Sequence, residues 1–114
     1  MAADRHADRI SPRDLQARIR AGTAPMILDV RSRAEFLAGR VPGARHVPFW
    51  AVAFRRRARP AAPGDPIVVY CGQGPRAGMA RAVLGVLGFT RVIELDGHWE
   101  GWVRAGLPIE TKDV

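Results

Sequence analysis

Apolar residues occur along this chain in short, nearly unbroken runs rather than in strict alternation with polar residues. Runs of this kind, placed between helical segments, are typical of strands in a parallel sheet that is covered on both faces. The pattern therefore predicts an α/β fold in which strands and helices alternate. The predicted strands are MILDV at 26–30, ARHVP at 44–48, PIVVY at 66–70 and RVIEL at 91–95.

Four segments before, between and after these runs carry helix-start signals. Serine caps with a carboxylate three residues later open the first two, and proline, which needs no N–H in a first turn, opens the third. Apolar residues then recur at helical spacing, and glycines end the first three segments. We expect Trp99 and Trp102 to pack in and around the core. The predicted helix starts are Ser11 with Pro12, Ser32 with Glu35 reaching back, Pro75, and Asp96 or Gly97.

The length of 114 residues suits one compact domain. We expect a short flexible segment at 1–9, a single domain at 10–110 and a tail at 111–114. The net charge of +7 comes almost entirely from arginine, which is densest in FRRRARP at 54–60. That run is either a solvated loop or an attractor for anions or nucleic acid, and without interleaved aromatic residues base stacking has little support.

The composition also bears on the cellular compartment. No apolar run approaches the length of a membrane span, and the first residues contain no apolar segment of the signal-peptide type. One cysteine cannot form an internal disulfide, and there is no set of Cys and His at metal-ligand spacing. We therefore expect a cytoplasmic protein without a metal.

The single cysteine, Cys71, follows an apolar run and opens the glycine-rich stretch CGQGPRA at 71–77. A tight turn at a helix start can direct several backbone N–H groups to one point. Such a nest favours the thiolate, which is the nucleophilic form of cysteine, and Arg76 adds a fixed positive charge at its rim. A buried, inert cysteine is the alternative, but the Gly-Gln-Gly-Pro-Arg that follows makes no sense as core filling.

With these residues in view, the chain resembles the single-domain rhodanese family of sulfurtransferases from about Ile10 to Glu110. The resemblance implies a central five-stranded parallel sheet flanked by helices on both faces. It also implies an enzyme that moves a sulfane sulfur from thiosulfate or a related donor to cyanide or a thiol, through a persulfide on Cys71 and without a cofactor. The matching stretches are LDVRSRAEFLAGRVPGARHVP at 28–48, VVYCGQGPRA at 68–77 and LDGHWEGWVRAGLPIE at 95–110.

The same resemblance implies partners and roles for the residues near Cys71. The implied partners are a small anionic donor such as thiosulfate, a thiol or cyanide acceptor and a protein that relays sulfur, with no membrane and with nucleic acid disfavoured. Asp29 and Arg31 are expected to support the site, and an ordinary strand-end ion pair is the alternative for both. The residues expected to form the substrate-binding loop are Gly72, Gln73, Gly74, Arg76 and Ala77.

Loop length separates this reading from its nearest enzymatic alternative. Cys71 to Arg76 spans six residues, as is usual in rhodaneses, whereas related phosphatases and arsenate reductases have one residue more. A shorter ring of amides suits a terminal sulfur better than a tetrahedral oxyanion. A phosphatase or arsenate reductase is therefore the less favoured alternative, beside a non-catalytic interaction module with the same fold.

Three residues depart from the usual family pattern. Arg40 stands where histidine is usual, and we interpret it as a tolerated surface change. His98 replaces the second of two glycines and is expected near the active loop, either as a satisfied side chain at a helix start or as a contact to the substrate. Pro75 has no N–H, so the nest has one donor fewer than it otherwise would.

Overall fold

A computed structural model describes residues 9–53 and 62–111. The segment 1–8, the arginine-rich run at 54–60 and residues 112–114 lie outside the described residues, so the expectations for them stay predictions. None of the helices among the described residues combines the length and the apolar character that a membrane-spanning segment needs. The elements, in chain order, are β1 (Arg9–Ile10), α1 (Pro12–Ala21), β2 (Met26–Asp29), α2 (Arg33–Ala38), β3 (Arg45–His46), a 3₁₀ helix (Phe49–Ala51), β4 (Ile67–Tyr70), α3 (Pro75–Val86), β5 (Val92–Leu95) and α4 (His98–Arg104).

The five strands pair in parallel in the order β1-β5-β4-β2-β3, which confirms the predicted fold class. Each of the four apolar runs contains one of these strands. The strand β1 is not among the runs because two residues are too few to form a pattern. Since the strands are parallel, their carboxyl ends meet at one edge of the sheet, and Cys71 directly follows the central strand β4 there.

Alternate residues of β4 pack against opposite layers of helices. Val69 belongs to the cluster that contains Leu84 of α3. Val68 and Tyr70 belong to the cluster on the other face, with Leu15 of α1 and Trp102 of α4. Every residue of β4 is completely buried, and full burial of one such aliphatic side chain stabilises a fold by about 1.5–3 kcal/mol. The strand that ends at Cys71 is thus the best-anchored element in the described chain.

The helix starts follow the capping pattern in the sequence. Ser11 accepts the N–H of Asp14 at 3.1 Å, and Ser32 forms a complete capping box with Glu35. A serine cap stabilises a helix by roughly 1 kcal/mol. Helix α3 begins at Pro75 as predicted, and α4 begins at His98, just after the predicted Asp96 or Gly97.

Arg40 is buried, so its interpretation as a surface change was wrong. Only 2% of the residue is exposed, and its Nε donates to Glu110 Oε2 at 2.9 Å. Its Nη1 also donates to the carbonyl of Phe36 at 3.2 Å, and the guanidinium lies 4.4 Å from the centre of the Phe36 ring. A buried cation requires such compensation, and here Arg40 fastens residue 110 to the end of α2.

Candidate active site

Cys71 lies at the carboxyl end of β4 with its side chain turned toward the start of α3. The residue has 0% exposed surface, and its Sγ accepts the backbone N–H of Gly74 at 2.9 Å. Gly74 has φ 140° and ψ −42°, a backbone conformation that residues with a Cβ rarely adopt. Glycine at position 74 therefore allows the loop to turn its amide toward the sulfur.

The remaining residues of the predicted loop surround Cys71 at different depths. Gln73 is exposed, Gly72 is half-buried, and Ala77, in the first turn of α3, is buried in the core. Pro75 occupies the first helical position, where a missing N–H does little harm. Among the loop amides, which all lie in the described chain, that of Gly74 donates to Sγ.

The guanidinium of Arg76 is paired with Glu35. The Nη1–Oε1 distance is 2.7 Å and the Nη2–Oε2 distance is 3.3 Å. The hydrogen bond from Arg76, followed by the backbone and hydroxyl of Ser32, lowers the pKa of Glu35 to about 2. Sequence reasoning explained Glu35 mainly by its capping role, because nothing local signals an ion pair with a residue 41 positions away.

Asp29 and Arg31 form a buried ion pair beside Tyr70, the residue that precedes Cys71. Arg31 Nη2 lies 2.6 Å from Asp29 Oδ2, and the Tyr70 hydroxyl donates to the same oxygen at 2.7 Å. Arg31 also donates to the carbonyl of Gly39 at 2.6 Å, and its guanidinium stacks 4.5 Å from the Trp99 ring centre. Burial raises the pKa of Tyr70, which keeps its hydroxyl a donor. This cluster ties β2, β4, α2 and α4 together behind the site.

The first turn of α4 is hydrogen-bonded to the backbone of the loop. The N–H groups of Trp99 and Glu100 donate to the carbonyls of Cys71 and Gly72 at 2.9 and 3.3 Å. The N–H of Cys71 donates to Nδ1 of His98 at 3.3 Å. The expectation that His98 lies near the loop thus takes a specific form, a side chain that contacts the backbone of the cysteine itself. Its signal in the sequence was a histidine at a place that otherwise favours glycine.

The site therefore combines a cysteine sulfur, an amide that donates to that sulfur and an arginine at the rim. Comparison with known proteins agrees with the family resemblance seen in the sequence. Residues 11–105 match the sequence profile of the rhodanese-like domain. The sulfurtransferase of Allochromatium vinosum is 33% identical over 88 residues, which cover 77% of this chain and 80% of that protein. The thiosulfate sulfurtransferase GlpE of Pseudomonas putida is 36% identical over 101 residues, 88% of each chain.

Solved structures agree with the sequence relatives. The human single-domain sulfurtransferase superposes with a TM-score of 0.73 at 25% sequence identity. The matched region covers 85% of this chain and 96% of the human chain.

Proposed function

The chain belongs to the rhodanese-like domain family of sulfurtransferases, and on that premise we propose that Cys71 carries a sulfane sulfur from thiosulfate or a related anion to cyanide or a thiol. The observation that supports this role most directly is the hydrogen bond from the Gly74 amide to Cys71 Sγ. A donor in that place stabilises negative charge on Sγ. This charge is present when Cys71 attacks as a thiolate, and it returns when the Cys71 thiolate is the leaving group.

The proposed reaction has two displacement steps. The Cys71 thiolate attacks the outer sulfur of thiosulfate, a new S–S bond forms, and sulfite leaves with the electron pair of the bond that breaks. Cyanide or a thiolate then attacks the terminal sulfur of the persulfide, and the Cys71 thiolate is the leaving group. Sulfur is passed on as a zero-valent atom in both steps, so no cofactor is required.

The burial of Cys71 sets a condition on the first step. Because the residue has no exposed surface, a donor reaches Sγ only when the residues that cover it move aside. Arg76 is one-third exposed and can meet the sulfonate oxygens of the donor before that movement. We propose that Gln73 and Arg76 bind the anion at the rim of the site. Asp29 and Arg31 support the site from behind. We also propose that the enzyme works in the cytoplasm.

Intact-mass spectrometry after incubation with thiosulfate tests the proposal. We expect one added sulfur on the native chain, its removal by cyanide with formation of thiocyanate, and neither result with Cys71→Ser. The serine variant should keep its fold, because it replaces one small side chain by another. An unmodified native protein, or thiocyanate formation by Cys71→Ser, would refute the mechanism.

The same preparation separates the alternatives. A phosphatase of this fold would hydrolyse an aryl phosphate in a Cys71-dependent way, and an arsenate reductase would consume arsenate together with a thiol. A non-catalytic module would show neither activity and no persulfide.

A further inference from the structure

His98 occupies a backbone conformation that is unusual for its residue type. Gly97 and His98 have φ of 77° and 53°, so two consecutive residues are left-handed. Among the described residues other than glycine, His98 alone has a positive φ. The left-handed conformation is unfavourable for a residue with a Cβ, because the Cβ crowds the following carbonyl oxygen. Contacts of the side chain must compensate for this cost.

The contacts of His98 permit one tautomer. Nδ1 accepts the N–H of Cys71, so Nδ1 carries no proton. The proton of the neutral ring is then on Nε2, which lies 3.4 Å from Oε1 of Glu94 on β5. Glu94 is held from its other side by Arg81 of α3 at 3.4 Å. The ring therefore connects the backbone of the nucleophile to a charged pair between β5 and α3.

The same ring also supports the middle of the loop. A Cβ built on Gly74 would lie 3.4 Å from Nε2 and 3.6 Å from Cδ2 of His98. The imidazole thus packs directly against the residue whose amide donates to Cys71 Sγ. His98 itself is only 7% exposed, so the contact is with a side chain fixed by its surroundings.

We propose that His98 is a positioning residue for sulfur transfer, which fixes the Cys71 backbone through Nδ1 and supports Gly74 through its ring. Two glycines at 97 and 98 would give the same turn without these contacts. The kinetic part of this inference rests on the proposed function. The structural part does not, because it concerns the tautomer of a ring and the reactivity of a thiol.

Protonation of His98 would abolish the support. A proton on Nδ1 removes the acceptor for the Cys71 N–H and leaves two donors facing each other. Burial lowers the pKa of His98 from its usual 6.5, and the charge of Arg9 on β1 acts in the same direction. Glu94 and Asp96 oppose these effects but do not outweigh them. The neutral ring is therefore the form at neutral pH, and the contact is lost as the pH falls through a value below 6.5.

Two substitutions separate positioning from simple space filling. His98→Asn keeps an acceptor, since Oδ1 of asparagine reaches the place of Nδ1. Asparagine also tolerates a left-handed backbone, and its side chain does not titrate. His98→Gly keeps the backbone conformation but has no acceptor and no ring. We expect His98→Gly to lower kcat for sulfur transfer about tenfold with little change in KM. His98→Asn should restore most of that loss.

The pH dependence is read from a ratio that cancels the titration of Cys71 itself. The rate of Cys71 alkylation by iodoacetamide in the native chain, divided by the rate in His98→Asn, should be constant near neutral pH and change below the pKa of His98. Nitrogen-15 NMR of the native protein should show a protonated Nε2 and an unprotonated Nδ1. If His98→Gly fails to fold, these two measurements decide the matter.

Three results would each overturn the inference. They are a ring protonated at Nδ1 near neutral pH, a His98→Asn variant as impaired as His98→Gly, and an alkylation ratio that does not vary with pH. Absence of any persulfide on the native chain would instead refute the proposed function, and the alkylation and NMR results would still decide the role of His98.

Discussion

Arg76 has two competing partners, the carboxylate of Glu35 in the resting structure and the sulfonate of the donor in the proposed reaction. The side chains of Arg76 and Glu35 are 33% and 40% exposed. A pair with that much contact with water contributes little to stability, about 1 kcal/mol or less. An incoming dianion can therefore share or displace Glu35 without disrupting a buried charge.

Truncation of Arg76 should impair use of the donor more than it impairs the thiol. Loss of one charge-assisted contact corresponds to about 1.5–3 kcal/mol, so Arg76→Ala should lower kcat/KM for thiosulfate by roughly one to two decades. Arg76→Lys keeps the charge without the paired donors, so its kcat/KM for thiosulfate should lie between those of the native chain and Arg76→Ala. Alkylation by neutral iodoacetamide should change less. Equal losses in both assays would show that Arg76 supports the loop rather than binding the donor.

The Glu35–Arg76 pair also predicts an acid-dependent change in stability. The pKa of Glu35 is depressed in the folded chain, so its stabilisation is present above the usual 4.5 and is lost as the pH falls towards about 2. Glu35→Gln keeps a capping side chain and removes the charge. Urea unfolding should show the native chain to be slightly more stable near neutral pH, with the difference vanishing in acid. A difference that persists in acid would argue for a cap effect.

Sequence reasoning at this scale succeeded where the chemistry is local and failed where partners are distant. Cys71 and its loop could be predicted as a candidate site because a cysteine, two glycines and an arginine stand within seven positions. The burial of Arg40 depends on Glu110, which is 70 residues further along the chain. No local pattern marks such a partner.

The loop between β4 and α3 and the helix α3 itself each contain a glycine, and the two glycines have different backbone requirements. Gly74 has φ 140° and faces His98, whereas Gly78 lies exposed within α3 with nothing within 4 Å of an added Cβ. The first is required by the loop geometry, and the second only weakens its helix.

Alanine at these two positions should therefore act in opposite directions. Gly78→Ala should stabilise the protein by roughly 0.5–1 kcal/mol, because alanine is the better helix former. Gly74→Ala should destabilise it by roughly 1–3 kcal/mol through a strained backbone and should slow sulfur transfer by moving the amide away from Sγ. Thermal unfolding and thiosulfate kinetics on both variants check this. A Gly74→Ala protein with native activity would show that the backbone amide at position 74 does not need a glycine to reach Sγ.

The end of β2 carries the buried pair that holds the layers behind the site. Asp29→Ala leaves the Arg31 guanidinium and the Tyr70 hydroxyl without their shared acceptor, so unfolding free energy should fall by about 3–5 kcal/mol. Asp96→Ala removes an exposed partner of Arg9 and should cost well under about 1 kcal/mol. Urea denaturation of the two variants gives the comparison. Similar small losses would mean that water compensates the Arg31 charge.

At the scale of elements, caps and apolar runs located the helices and four strands, while two details escaped. Strand β1 is too short for any periodicity. Helix α4 begins at His98, and Gly97 and His98 are both left-handed. The side chain of this histidine contacts the Cys71 loop and Glu94, which are distant in sequence or on another element.

The whole molecule carries a net charge of +7, which attracts anions before any specific contact forms. The screening length falls from about 10 Å at 0.1 M salt to about 3 Å at 1 M. The kcat/KM for thiosulfate should therefore decrease as sodium chloride is added over this range, while alkylation by neutral iodoacetamide should not. A thiosulfate reaction insensitive to salt would confine the attraction to short-range contacts at the loop.

The order of strands in the sheet has a consequence for biosynthesis. In the described sheet β1 pairs with β5 alone, through Arg9 opposite Glu94 and Ile10 opposite Leu95. At about 5–20 residues per second, a ribosome needs roughly 4–17 s to add the residues between these strands. Cys71 also emerges before His98 and Trp99, whose bonds enclose its backbone. Each newly made chain thus passes through an interval in which the thiol of Cys71 is not yet enclosed and the sheet is still open.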